Sequence, residues 1–259
     1  MNLSEHNRKA WNKKVEAESR YTKAVDSEII EQSRLGNWEI CVTTEKPVPR
    51  QWFPESLEGN KVLCLASGGG QQGPILAAAG ADVTVLDISD KQLEQDKLVA
   101  ESEGLKIKAV QGDMSDLSAF MDQTFDIIVH PVSNLFVDDI RPVWKEAYRV
   151  LRDGGSLISG FTNPLLWLFD ELKEEQGVLD VKHAVPSSTL DHLDPEEVKA
   201  YVESGDTIEY AHSLEDQIQG QIDSGFVIAG FYEDDFGGER LIDQYIRTFI
   251  ATRAIRIGR

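Results

Sequence analysis

The stretch Ser67-Gly68-Gly69-Gly70-Gln71-Gln72-Gly73 lies between an apolar run, Val62 to Ala66, and a helical pattern from Pro74 to Ala79. Glycine lets a chain turn tightly and lets a ligand approach the backbone, and a helix N-terminus offers unpaired N–H groups. A ligand of adenosyl type suits such a loop. A tight turn without a ligand would not call for three consecutive glycines. Asp87 closes the next apolar run, Asp82 to Asp87, and Gly112-Asp113-Met114 follows the third. Two carboxylates and a glycine loop therefore fall at the ends of successive strands, where open α/β sheets bind ligands.

Two cofactors compete for this loop. Gly68, Gly70 and Gly73 satisfy G-x-G-x-x-G, and Asp87 stands near the distance expected of a ribose ligand, so a nicotinamide dinucleotide and an NAD(P)-binding oxidoreductase form one reading. In that fingerprint the first glycine follows its strand at once, whereas here Ala66 and Ser67 come first. Taking Ala66, Gly68 and Gly70 as the turn puts the loop on the strand end.

The histidines are the candidate bases. His130 ends the fourth apolar run, on the ligand-binding edge, and is both a candidate general base and a candidate cofactor contact; His212, just before a helix from Ser213 to Asp223, is the second candidate. His183 and His192 fall in an irregular stretch and read as solvated surface residues. Asn134 could orient an acceptor through its amide, and Tyr21 and Trp167 are candidate substrate contacts. No His or Cys spacing suits a metal.

The elements that must hold these groups follow from periodicity. Residues 1–58 read as a helical extension or lid carrying Trp11, Tyr21, Trp38 and Trp52, and closing in a proline-rich loop, Pro47 to Pro54. From residue 59 short apolar runs alternate with helical stretches, as in a parallel sheet with crossover helices. Strands are expected at Val62 to Ala66, Asp82 to Asp87, Ile107 to Val110, Phe125 to His130 and Ser156 to Phe161. Helices are expected at about Ser89 to Glu103 and Val143 to Leu151. About residues 163–212 the alternation fails, which marks an inserted cap. Two closing strands, Phe226 to Tyr232 and Tyr245 to Arg253, have too short a connection for a crossover helix and should pair antiparallel.

In the frame starting at Ala66 the chain resembles the class I S-adenosylmethionine-dependent methyltransferases. Their first motif is an acidic strand residue followed by G-x-G-x-G; here Cys64 takes the acidic position and Ala66 the first glycine. Arg149-Val150-Leu151-Arg152-Asp153-Gly154-Gly155 resembles the family's turn before the fifth strand. Flanking strings, among them Ala10-Trp11-Asn12, Val48 to Pro54, His130 to Asn134 and Leu214 to Ile218, resemble one group of bacterial stand-alone members. The resemblance implies an α/β Rossmann-like sheet of seven strands, mostly parallel with the last antiparallel, and S-adenosyl-L-methionine as cofactor. It implies cofactor contacts from Ala66, Ser67, Gly68, Gly70, Gln72, Asp87, Ile88, Gln92, Gly112, Asp113, Met114 and His130, with Asp87 on the ribose hydroxyls and Asp113 beside the adenine. The activity implied is methyl transfer (EC 2.1.1.-); a non-catalytic sensor of the same cofactor is the other class of function on this fold.

Composition narrows the acceptor. A formal charge of -19, from 26 basic and 45 acidic side chains, opposes a phosphate backbone, and the cations form no run. A small molecule is the expected substrate, with no nucleic acid and no membrane as partner. Two cysteines and a polar start point to the cytoplasm; a monomer or homodimer is expected.

Overall fold

A computed structural model describes residues 2–258; Met1 and Arg259, assigned above to the extension and to the region of alternating strands and helices from residue 59, lie outside the described residues. Seven strands form one sheet: β1 Lys61–Leu65, β2 Asp82–Asp87, β3 Ile107–Gln111, β4 Phe125–His130, β5 Leu151–Thr162, β6 Phe226–Asp234 and β7 Phe249–Arg256. Their spatial order is β3-β2-β1-β4-β5-β7-β6. The first five are parallel; β7 runs antiparallel to both β5 and β6. The order reverses between β1 and β4, and at such a switch point the diverging loops open a crevice at the strand ends.

The central strands are continuous apolar runs because both faces are covered. Alternation along β1 sends Leu63 and Leu65 to one face with Leu86, Ile128 and Trp144, and Val62 and Cys64 to the other with Val83, Val85 and Val129. Helix α1 is Leu3–Glu16, α2 Ser27–Arg34, α3 Gln72–Ala78, α4 Asp90–Glu103 and α5 Arg141–Val150. Ser89 caps α4, its hydroxyl accepting from the Gln92 N–H at 3.0 Å, and Gly104 closes it in the left-handed region.

Several boundaries differ from the sequence reading. Strand β5 begins at Leu151, directly off α5, because Leu151 pairs with Phe125 before Arg152 to Gly155 bulge out and Ser156 resumes the ladder opposite Ile127. The last strand starts at Phe249 rather than Tyr245: a short helical turn at Leu241–Gln244 comes first, and the chain joins the sheet where Phe249 meets Thr162. The helix expected from Ser213 opens as a wide π turn over Glu215–Gln219 and becomes α-helical at Gly220–Ser224.

The N-terminal 58 residues divide in two. Trp38, Ile40, Val42, Val48, Trp52, Phe53 and Leu57 are buried in the main core. A Cβ at Gly160 would meet the Val42 carbonyl oxygen at 1.9 Å, so this segment crosses β5 at backbone contact. Helix α1, in contrast, lies over the strand ends. Asn7 donates to the carbonyls of Phe136 and Ile208 and accepts from the Ile208 N–H, while Asn12 donates to Asp90 and accepts from Ser89 Oγ. The insert consists of the short helix Glu171–Glu175, the helix Pro195–Ser204, and a two-residue ladder between Ser187–Ser188 and Tyr210–Ala211.

Candidate active site

Ala66, the residue after β1, has φ 47°, the left-handed region that favours glycine; its N–H donates to the Leu86 carbonyl at 2.8 Å. Gly68 follows without room for a side chain: a Cβ there would lie 2.8 Å from Gln92 Cβ and 3.0 Å from Asp87 Oδ2. Ser67 Oγ donates to Gln72 Oε1 at 3.1 Å, and Gln72 Nε2 donates to the Cys41 carbonyl at 3.0 Å. The loop is thereby joined to the N-terminal segment.

Two buried carboxylates support this loop. Asp87 Oδ2 accepts from the Gly68 N–H at 2.9 Å and Oδ1 from the Ser89 N–H at 2.8 Å. Burial outweighs these bonds and pushes its carboxyl up to about 6. Asp96 of α4 accepts from the Gly69 N–H at 2.9 Å and, with no exposed surface, is pushed by burial up to about 7. Cys64 stands where the family pattern has an acid, and the carboxylate fixing the backbone of Gly69 comes from α4. Burial drives the Cys64 thiol far above its ordinary range, so it is inert as a nucleophile. At the end of β3, Asp113 Oδ2 accepts from Ser4 Oγ of α1 at 2.6 Å, and Oδ1 from the N–H and hydroxyl of Ser115.

These strand ends open into a cavity of about 850 Å³. Of the residues expected to touch the cofactor, Ala66, Ser67, Gly68, Gln72, Asp87, Ile88, Gln92, Asp113 and Met114 line it; of those expected near a substrate, Tyr21 and Trp167 do. Gly70 does not. It faces Ala24, whose Cβ would be 2.8 Å from an added side chain, and its carbonyl accepts from the Val25 N–H at 2.9 Å. Gly112 packs against Leu86 instead.

The two candidate bases are also withheld from the cavity. His130 is fully buried; its Nδ1 lies 2.8 Å from the Leu65 carbonyl oxygen, to which only an N–H can bond, and its Nε2 is 2.5 Å from the Asn134 amide. Asn134 in turn meets the Gln217 amide at 2.7 Å. Both ring nitrogens are thus occupied, and burial lowers the affinity of the ring for a proton. His130 holds the carbonyl immediately before Ala66, and Asn134 holds His130. His212 Nε2 lies 3.0 Å from the carbonyl oxygens of both Asn134 and Val137 and is 8% exposed, so it too serves the scaffold.

The cap brings residues that the sequence reading treated as surface. His183 and His192 line the cavity and stack on each other with ring centroids 3.8 Å apart. Phe169, Glu171, Lys182, Tyr201, Glu209 and Arg240 share this wall. A sequence signal was available in one respect: two histidines nine residues apart lie in a segment interrupted by Trp167, Phe169 and Tyr201. Their meeting still required the cap to fold back. Among the described residues no three His, Cys, Asp or Glu gather to hold a metal, and no helix is long and apolar enough to cross a membrane.

The family pattern for a methyltransferase domain matches residues 63–159. A Bacillus subtilis (strain 168) protein, the uncharacterized methyltransferase YbaJ, is 57% identical over 255 residues, spanning 98% of this chain and 99% of that one. An S-adenosylmethionine-dependent methyltransferase structure from Mesorhizobium loti shares the fold with TM-score 0.61 at 17% identity, covering 80% of this chain and 95% of that one. Another, from Methanosarcina mazei, has TM-score 0.58 at 21% identity over 83% of this chain and all of that one.

Proposed function

Because the chain belongs to the class I S-adenosylmethionine-dependent methyltransferases, we propose that it methylates a small molecule enclosed between the sheet edge, α1 and the cap. Its cofactor is S-adenosylmethionine, which displaces the nicotinamide reading. The observation that carries the proposal is the single cavity lined at once by the glycine loop, by α1 and by the cap. Its volume falls within the usual range for small-ligand sites, about 300–1,000 Å³. The excess of acidic side chains, 45 against 26 basic, disfavours a nucleic-acid acceptor. Two free cysteines, at 41 and 64, are consistent with a reducing cytoplasm.

The residues present suit the cofactor. The cradle at Gly68 would be filled by a Cβ, and Gln92 Oε1 beside it is buried without a hydrogen-bond partner. Asp87 would accept from the ribose hydroxyls; Ile88, Gln92, Asp113 and Met114 would surround the adenine end, and Ala66 to Gly68 the remainder. When bound, the cofactor supplies an electrophilic methyl group, so the chain needs no covalent nucleophile. The chain holds the acceptor in line and excludes water, contributions that can reach roughly 7–11 kcal/mol in well-oriented systems. Helix α1 and the cap are the elements that do this.

The test is calorimetric titration with S-adenosylmethionine and S-adenosylhomocysteine, followed by incubation of methyl-labelled cofactor with fractionated cell metabolites, protein and RNA. Label in a metabolite fraction supports the proposal. Label confined to protein or RNA would overturn the small-molecule acceptor. Tight binding with label in no fraction would instead identify a cofactor sensor.

A further inference from the structure

The cap half of the cavity carries titratable groups that cofactor binding does not use. His192 Nε2 is 3.1 Å from Ser187 Oγ, so the cap itself occupies one nitrogen of that ring. His183 is fixed through its backbone N–H, which donates to the Leu168 carbonyl at 3.0 Å, and among the described residues no protein group hydrogen-bonds its ring nitrogens. His183 therefore combines a cavity-lining ring with free nitrogens, whereas neither His130 nor His212 lines the cavity and His130 has both nitrogens engaged. Beside it the wall is aromatic: Trp167, Phe169, Phe236 and Phe249 line the same space, the last two meeting edge to face at 4.7 Å.

The charges on this wall are largely compensated within it. Arg240 makes a forked ion pair with Glu174 and lies over Phe236, and Lys182 pairs with Asp170 at 2.8 Å. Glu209 accepts from Thr207 Oγ1 at 2.9 Å and lies in the field of Lys14. An anionic acceptor would find Lys182 and Arg240 already engaged and two carboxylates, Glu171 and Glu209, beside it. A planar, uncharged acceptor fits better.

We propose that His183, buttressed by His192, takes the proton of an aromatic hydroxyl acceptor lying against Trp167 and Phe169, which makes the reaction an O-methylation. This rests on the methyltransferase reading above. The acceptor oxygen would give its proton to the free ring nitrogen of His183, leaving an imidazolium. Its electron pair would form the O–C bond to the transferred methyl as the C–S pair passes to sulfur, which leaves as a neutral thioether. His183 is faced by His192 from the turn at Thr189–His192, by Lys182 on its own segment and by Asp170 before the helix Glu171–Glu175. Burial first, then His192 and Lys182, hold its ring below the ordinary histidine value, against a weaker pull from Asp170. The ring is neutral at pH 7 and ready to accept.

The experiment uses 4-nitrophenol, whose anion absorbs visibly, titrated into the full chain loaded with S-adenosylhomocysteine across pH. Bound 4-nitrophenol should ionise at lower pH than the free compound, because its proton passes to His183 and the anion then faces that imidazolium, which keeps the pair neutral overall. His183→Gln and His183→Asn should abolish that displacement, at least tenfold in the ionisation equilibrium, with affinity for S-adenosylhomocysteine unchanged. His192→Gln should reduce it partially. Failure of 4-nitrophenol to bind the loaded protein, or a wild-type ionisation profile in both His183 variants, overturns this inference while leaving the methyltransferase reading intact. Absence of S-adenosylhomocysteine binding to the wild-type protein would overturn both.

Discussion

The wall of the cavity built by the sheet and the wall built by the cap are held by different forces. On the sheet side, strand register puts Ala66, Asp87 and Asp113 at adjacent strand ends, and buried backbone hydrogen bonds to Asp87 and Asp96 fix the glycine loop. On the cap side, short helices and half-buried side chains hold one another through ion pairs such as Arg240 with Glu174 and Lys182 with Asp170. A rigid wall suits the cofactor, which is common to the family. The wall joined by side chains suits the acceptor, which is where relatives on one fold diverge.

On the sheet wall the most sensitive position is Asp87. Asp87→Ala should weaken S-adenosylmethionine binding by one to two orders of magnitude or more, since each charge-assisted hydrogen bond lost contributes about 1.5–3 kcal/mol. His183→Gln should leave that affinity unchanged. Equal calorimetric affinities for wild type and Asp87→Ala would show that the sheet wall does not hold the cofactor.

Glycine substitutions probe rigidity next. Gly68→Ala must displace Gln92 or Asp87 and should cost about 1–3 kcal/mol in thermal unfolding. Gly177→Ala in the cap, at φ 84° with nothing within 4 Å, carries only the backbone penalty of about 1–2 kcal/mol. A larger cost at Gly177 would reverse the ranking of the two walls.

Protonation sharpens the contrast. Asp87 and Asp96 are raised to about 6 and about 7 from an ordinary 3.8, so the folded chain binds more protons than the unfolded one between those limits. Their contribution to stability is fully present below about pH 4 and is lost as pH rises through 6 and 7. Asp96→Asn should flatten that part of the stability profile in denaturant titrations at pH 5 and pH 8. Ribose hydroxyls donate to ionised Asp87, so cofactor affinity should increase from pH 5 to pH 7 with proton release. An affinity that falls over that interval would contradict the assignment. The smallest effect is expected for Ala66→Gly. Relief of the left-handed alanine, about 1–2 kcal/mol, is offset by glycine's greater backbone freedom of about 0.5–1, for a net gain of about 0–1.5 kcal/mol in thermal unfolding.

The legibility of the chain follows the same division. The strand ends and the loop frame starting at Ala66 could be read from a few neighbouring residues, because apolar runs and turn chemistry are local. Cys64 stands at the acidic position, and the carboxylate that fixes Gly69 is Asp96, which α4 brings from 27 residues away. His130 sits on the ligand edge and reads as a base, but Leu65 and Asn134 occupy both its nitrogens. The histidines of the cap looked solvated because nothing near them in the chain indicates that they face inward.

Sequence by itself determined the parallel sheet, the glycine turn, Asp87 and Asp113 at their strand ends and the antiparallel closing pair, since each depends on patterns a few residues long. Tertiary structure alone decided which histidines have free nitrogens, which carboxylate supports the loop and what encloses the cavity. The reason is physical: the environment of a buried polar atom is set by groups that folding brings from distant parts of the chain, and no local pattern records their arrival.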